Sequence, residues 1–138
     1  MFLNPMESSA AAAPMPETIR VLVVDDEPLF VEMVQAMLAG EQGIVIAGTA
    51  SNGEEGVRLA ADLDPDVIVM DISMPVMDGI DATRQIRFRD PQACILILTG
   101  GLSTVEIDKA RIAGAAAYLT KDRIASELVS EIRRLGSR

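Results

Sequence analysis

Charged side chains stand at the ends of several short apolar runs in this sequence. Asp25 and Asp26 follow IRVLVV, Asp71 follows VIVM, and Lys121 lies two residues after AYL. Carboxylates gathered in one place repel one another unless a cation neutralises them. Oxygen ligands without histidine or thiolate select Mg²⁺ or Mn²⁺ over zinc or copper. A carboxylate between such a metal and a fixed ammonium can attack phosphorus, which is the chemistry of an aspartyl phosphate.

A hydroxyl completes this candidate chemistry, because Thr99 closes the run CILIL and could donate to a phosphoryl oxygen. Each residue also has a structural alternative. Asp25 and Asp26 could cap a helix, Asp71 could belong to a turn, Thr99 could be an ordinary strand-end hydroxyl, and Lys121 could be a solvated loop charge. Their shared position after apolar runs favours a joint site over separate structural roles.

The apolar runs predict five strands, each followed by a helix-like stretch. They are Ile19–Val24, Ile44–Thr49, Val67–Met70, Cys94–Leu98 and Ala117–Leu119. Continuous aliphatic runs are typical of strands that are covered on both faces. Five βα units imply a parallel sheet with right-handed crossovers. We predict an α/β fold, namely a flavodoxin-like (βα)5 doubly wound parallel sheet with strand order 2-1-3-4-5. Ligands bind such sheets at the carboxyl ends of the strands, near the switch point between strands 1 and 3.

Helix-start signals lie between the predicted strands. The segments Ser51–Glu54 (SNGE) and Ser103–Glu106 (STVE) fit the capping box, in which two side chains satisfy each other's backbone N–H groups. Pro28 suits the first turn of a helix, and Asp78-Gly79 predicts a helix start with a turn.

Composition limits the remaining function classes. The 138 residues fit one domain, and 12 basic against 21 acidic side chains give a net charge of −9, which disfavours direct nucleic-acid binding. The absence of histidine excludes Ser-His-Asp catalysis and His-ligated zinc. The single cysteine, Cys94, cannot close an internal disulfide, and no stretch approaches the ~20 apolar residues of a membrane span. We expect a cytoplasmic protein without a membrane or nucleic-acid partner.

The first residues differ in composition from the rest. Residues 1–17 (MFLNPMESSAAAAPMPE) are rich in Ala, Pro, Met and Ser and show no periodicity, so we predict a disordered leader. The predicted domain occupies residues 18–138.

Four motifs in order carry a family resemblance: VLVVDDEPLF, VIVMDISMPVMDG, ILILTG and AGAAAYLTKD. Together they resemble the receiver domain of two-component response regulators over roughly Thr18 to Leu135. Within that family the chain is most similar to the branch whose members usually carry a C-terminal helix-turn-helix. The resemblance implies a protein that accepts a phosphoryl group from a sensor histidine kinase or a phosphotransfer protein. It would catalyse only its own Mg²⁺-dependent phosphorylation and dephosphorylation.

The resemblance also implies residue roles. Asp71 would be the phospho-acceptor. Asp25 and Asp26 would hold Mg²⁺ (or Mn²⁺), Asp26 more directly, with Asp71 and the backbone carbonyl of Ser73 as further ligands. Thr99 and Lys121 would contact the phosphoryl group.

Thr99 and Tyr118 would form the switch, although Tyr118 could instead be an ordinary packing residue of its strand. Phosphorylation would change the surface of the fourth helix, fifth strand and fifth helix, through which a homodimer could form. Many receivers have proline after the lysine, where this chain has Asp122.

Three alternatives compete with this interpretation, and the sequence lacks what the first two require. A flavin or nucleotide module would need a Gly- or Ser/Thr-rich phosphate cradle after strand 1, but the loop here is DDEP. A phosphatase with an aspartyl nucleophile would need a second carboxylate two residues after Asp71, where Ser73 stands. The third concerns output: the chain is either a single-domain receiver that docks to a partner or the receiver fragment of a longer helix-turn-helix transcription regulator.

Overall fold

Five strands alternate with five α-helices in the part of the chain that the computed structural model describes, residues 18–101 and 103–137. The strands are β1 (Ile19–Val24), β2 (Ile44–Ala50), β3 (Val67–Asp71), β4 (Ile95–Thr99) and β5 (Ala117–Thr120). The helices are α1 (Pro28–Ala39), α2 (Gly53–Leu63), α3 (Gly79–Arg89), α4 (Thr104–Ala113) and α5 (Ile124–Gly136), with a 3₁₀ turn at Lys121–Arg123 before α5. The predicted leader, residues 1–17, lies outside the described residues.

All strand pairs are parallel, and the sheet order β2-β1-β3-β4-β5 confirms the predicted flavodoxin-like topology. Val24 lies opposite both Ala50 and Met70 in the neighbouring strands. The carboxyl ends of β1 and β3 are therefore side by side in the middle of the sheet. The strands β2, β3, β4 and β5 each end one residue later than predicted, and β4 begins at Ile95 rather than Cys94.

The core has two layers, one on each face of the sheet. Val21 and Val23 of β1 face α1 and α5, whereas Leu22 and Val24 face the layer built by α2, α3 and α4. All four side chains are fully buried. Burial on both faces explains why the strands read as continuous apolar runs. No helix among the described residues is long and apolar enough to cross a membrane.

One helix start differs from its prediction. The N-cap residue of α2 is Asn52, paired with Glu55, rather than Ser51 paired with Glu54. Asn52 Oδ1 accepts from the Glu55 N–H at 2.8 Å, and Glu55 Oε1 accepts from the Ser51 N–H at 2.7 Å. The shift follows from Gly53, which is the first helical residue and whose N–H is taken by the carbonyl oxygen of Met77 at 3.0 Å.

The other three predicted starts are confirmed, and α1 begins at Pro28. Ser103 Oγ accepts from the Glu106 N–H at 3.3 Å, and Asp78 Oδ1 accepts from the Asp81 N–H at 2.8 Å. Asp78 thereby caps α3, the helix that follows the loop after β3.

Candidate functional site

Three carboxylates meet at the carboxyl end of the sheet. Asp25 follows β1 and Asp71 ends the neighbouring strand β3, so the sheet register itself places them together. One oxygen from each of Asp25, Asp26 and Asp71 lies within 4.8 Å of the others. Asp25 and Asp71 are 2% and 5% exposed, whereas Asp26 is exposed to solvent. Buried carboxylates in such proximity need a positive partner.

Lys121, which follows β5, supplies that positive charge. Its Nζ lies 3.1 Å from Asp25 Oδ2, 3.4 Å from Asp71 Oδ1 and 3.3 Å from Glu27 Oε1. The side chain is only 21% exposed, which argues against a solvated loop charge. The same ammonium lies 4.2 Å from the centre of the Phe30 ring. Glu27 and Phe30 are not among the site residues predicted from the sequence.

The helix-cap alternative for Asp25 and Asp26 explains only part of the geometry. Asp25 Oδ1 does accept from the Glu27 N–H at 2.9 Å, as in a turn before a helix. The N-cap residue of α1 is Glu27, however, and its own side chain makes no capping bond. The second oxygen of Asp25 is directed to Lys121, so this carboxylate serves both the turn and the charged cluster.

The electrostatics of the cluster disfavour a charged Asp71. Burial, and then the charge of Asp25, raise the pKa of Asp71 to about 6, although Lys121 pulls it down. Burial lowers the pKa of Lys121, but the hydrogen bond to Asp25 and the charges of Asp71 and Asp25 outweigh it, so the net shift is upward. Lys121 therefore stays charged, but its ammonium alone does not offset the effects of burial and of Asp25 on the Asp71 carboxylate.

Thr99 lies at the end of β4, beside the end of β5 that leads to Lys121. It is 5% exposed and pairs with Thr120 in the sheet register. Its hydroxyl donates to the carbonyl oxygen of Gly101 at 2.8 Å and also receives the Gly101 N–H at 3.4 Å. In this structure the hydroxyl is thus engaged by its own loop.

The two other predicted site residues lie further out. Ser73 is exposed in the loop between β3 and α3, and the role of its carbonyl as a metal ligand stays a prediction. Tyr118 lies opposite Ile97 on the edge strand β5 and is 50% exposed. It lines an open cleft together with Gly100 and Gly101, the loop that holds the Thr99 hydroxyl.

Two glycines that the sequence argument left without a site role fix the loop after Asp71. A Cβ on Gly79 would lie 2.1 Å from the carbonyl oxygen of Asp71, and a Cβ on Gly53 would lie 2.4 Å from that of Met77. Both N–H groups also bond to this loop, Gly79 to Ile72 at 2.8 Å and Gly53 to Met77 at 3.0 Å. The Asp78-Gly79 pair was the available sequence signal, but it indicated only a helix start with a turn.

The comparisons with known proteins agree with this geometry. The family model of the response regulator receiver domain matches residues 21–133. The transcriptional regulatory protein LiaR of Bacillus subtilis is 43% identical over 117 residues, which cover 83% of this chain and 54% of that protein. The response regulator GacA of Pseudomonas aeruginosa is 37% identical over 117 residues, covering 85% and 55%. The chain spans about half the length of the curated relatives it matches.

Solved structures give the same result. The signal receiver domain of the response regulator NarL from Mycobacterium tuberculosis matches with a TM-score of 0.84 and 31% identity, covering 89% of this chain and 100% of that one. A LuxR-family two-component response regulator from Aurantimonas matches with a TM-score of 0.83 and 36% identity, covering 88% and 86%. These relatives confirm the predicted branch of the family, whose members usually carry a C-terminal helix-turn-helix. The family is not a classical enzyme family. The chain belongs to the response regulator receiver domains of two-component signalling.

Proposed function

We propose that Asp71 accepts a phosphoryl group in a Mg²⁺-dependent reaction and that the domain then changes its surface. The donor is a phosphohistidine of a sensor histidine kinase or a phosphotransfer protein. The observation that carries the proposal is the convergence of Asp25, Asp26 and Asp71 on one another, with the Lys121 ammonium against two of them. Carboxylates of this kind fit a hard divalent cation, and receiver domains bind Mg²⁺ at an acidic pocket.

The transfer step follows from the placement of the side chains. An oxygen of Asp71 attacks phosphorus, the phosphorus–nitrogen bond to the donor imidazole breaks, and the imidazole nitrogen keeps the electron pair and takes a proton from water. When bound by Asp25, Asp26, Asp71 and the Ser73 carbonyl, Mg²⁺ supplies positive charge to the phosphoryl oxygens. The Lys121 ammonium releases one carboxylate oxygen and donates a hydrogen bond to a phosphoryl oxygen instead. Its positive charge offsets the negative charge that the phosphoryl group adds.

The Thr99 hydroxyl links this step to the surface. To donate to a phosphoryl oxygen, it must release the carbonyl oxygen of Gly101 that it now holds at 2.8 Å. Gly101 and Tyr118 line the same cleft, so a movement of this loop reaches the Tyr118 ring. We propose that Thr99 and Tyr118 act together as a bistable pair.

The output surface of the proposal is formed by α4, β5 and α5. Arg111 of α4 and Glu131 and Arg134 of α5 line one groove together with Ala117 and Tyr118 of β5. Such a mixed surface suits a second copy of the chain or an effector. The relative LiaR is a transcriptional regulatory protein by name, so we propose a cytoplasmic role in transcription control through a further domain or partner.

The test is phosphorylation with acetyl phosphate and Mg²⁺, read by intact-protein mass spectrometry. The wild-type protein should gain one phosphoryl group, and Asp71→Asn should gain none. Asp62→Asn is the matched control, because Asp62 is an exposed carboxylate on α2 and should leave the gain intact. A phosphoryl group that persists on Asp71→Asn would disprove the assignment.

A further inference from the structure

The Lys121 ammonium has a neutral neighbour in addition to its three carboxylates. Its Nζ lies 4.2 Å from the centroid of the Phe30 ring, well inside the ~6 Å range of a cation–π interaction. We propose that Phe30 is a positioning residue that holds the Lys121 ammonium at the site through its ring face. This role rests on the proposed function of Lys121 at the phosphoryl group.

A neutral partner has a specific use at this position. An ammonium has three N–H donors, and three carboxylates surround this one: Asp25, Glu27 and Asp71. A phosphoryl oxygen can accept a hydrogen bond from one of these N–H groups only when a carboxylate releases that group. The ring attracts the ammonium without accepting one of these hydrogen bonds, so its attraction persists through the exchange.

The ring is itself held in place by α1. Phe30 is half-buried and packs against the core layer between α1, α5 and the sheet. Its neighbour Leu29 is 79% exposed, so the two side chains differ in their surroundings. A long lysine side chain loses considerable rotamer entropy when it is fixed, and a preordered ammonium avoids that loss in the transition state. Phe30 therefore contributes to the rate through Lys121.

The contact has a direct spectroscopic signature. Protons above a ring face resonate upfield, and the chain has only two lysines, Lys109 and Lys121. Lysine-selective labelling therefore gives two sets of side-chain signals, with Lys109 as the internal reference. The Lys121 Cε protons should lie upfield in the wild-type protein, lose the shift in Phe30→Leu and keep it in Phe30→Tyr. A wild-type Lys121 signal at the Lys109 position would overturn the proposal without any variant.

Kinetics test the consequence. With acetyl phosphate and Mg²⁺, Phe30→Leu should slow phosphorylation about fivefold, as expected for a partly buried cation–π contact, and Phe30→Tyr should keep most of the rate. Phe88→Leu is the matched control, because that phenylalanine is 88% exposed on α3. Equal rates for Phe30→Leu and wild type, or equal losses in Phe30→Leu and Phe30→Tyr, would contradict the role. If wild type is not phosphorylated at all, the proposed function fails, whereas the lysine signals still decide the contact.

Discussion

At the residue scale, Asp71 shows why this acidic cluster is suited to a positively charged ligand. Its carboxylate is buried beside Asp25, and together these effects raise its pKa to about 6 despite Lys121. At neutral pH the folded protein therefore holds an ionised group where its charge is disfavoured. A divalent cation relieves this cost, and so does removal of the charge.

The variant Asp71→Asn should be more stable than wild type at neutral pH without Mg²⁺. Between the ordinary value of 3.8 and about 6, the folded wild type binds more protons than the unfolded chain. Its free energy of unfolding therefore falls as the pH rises through that window. Asparagine imitates the neutral acid, so its advantage should grow from pH 4 to pH 6 and reach about 3 kcal/mol above it.

Urea unfolding at several pH values in the presence of a chelator measures this difference. Asp62→Asn, on the exposed face of α2, should show no such dependence. A variant that is less stable than wild type by the same amount at every pH would contradict the electrostatic explanation.

Removal of Asp26 should weaken metal binding more than it affects folding. Asp26 is exposed and belongs to the acidic cluster, so its side chain has little packing to lose. Titration with Mg²⁺ followed by calorimetry should show at least a tenfold loss of affinity in Asp26→Asn, since one of few anionic ligands is gone. An unchanged affinity together with marked unfolding would instead assign Asp26 a structural role.

At the scale of elements, α3 is packed directly on the strand that ends at Asp71. A Cβ on Gly79 would lie 2.1 Å from the Asp71 carbonyl oxygen, and this backbone atom cannot move without displacing β3. Gly79→Ala should therefore cost about 2–4 kcal/mol of unfolding free energy. It should also reduce phosphorylation, because the acceptor itself is displaced.

The matched control is Gly40→Ala, where a Cβ meets nothing within 4 Å. Thermal or urea unfolding of both variants measures the difference, and Gly40→Ala should stay within about 0.5 kcal/mol of wild type. Equal stability of Gly79→Ala and wild type would mean that α3 can shift freely over β3.

The elements were predictable from sequence wherever burial imposes a pattern. Val21 to Val24 are buried on alternate faces, so β1 appears as one apolar run in the sequence. The exact start of α2 was not, because it depends on contacts made elsewhere. The start of α2 is displaced by the bond from Gly53 to Met77, which lies in a loop beyond β3.

At the scale of the whole molecule, the topology brings distant segments to one sheet edge. Asp25 and Lys121 are 96 residues apart and in contact. This meeting was predictable, because parallel strands end at the same edge. The contacts of Glu27 and Phe30 with Lys121 were not, since they depend on side-chain paths across two elements. The half-exposed position of Tyr118 was equally hidden, because the residues of an edge strand resemble those of a buried one.

Phosphorylation should alter the face formed by α4, β5 and α5. Beryllofluoride with Mg²⁺ imitates the phosphoryl group, and an NMR comparison with the untreated protein should show shifts at Thr99, Tyr118 and α4. The reason is that the Thr99 hydroxyl must leave Gly101 to reach the new ligand. Shifts confined to residues around Asp71 would show a domain that binds the group without switching.

The most direct test of the central claim locates the phosphoryl group on the chain. After phosphorylation with acetyl phosphate and Mg²⁺, borohydride reduces an aspartyl phosphate to homoserine, which tandem mass spectrometry places at one position. We predict homoserine at residue 71, and none there when Mg²⁺ is omitted. Homoserine at Asp25 or Asp26 instead, or a stable phosphoryl group that borohydride does not reduce, would contradict it.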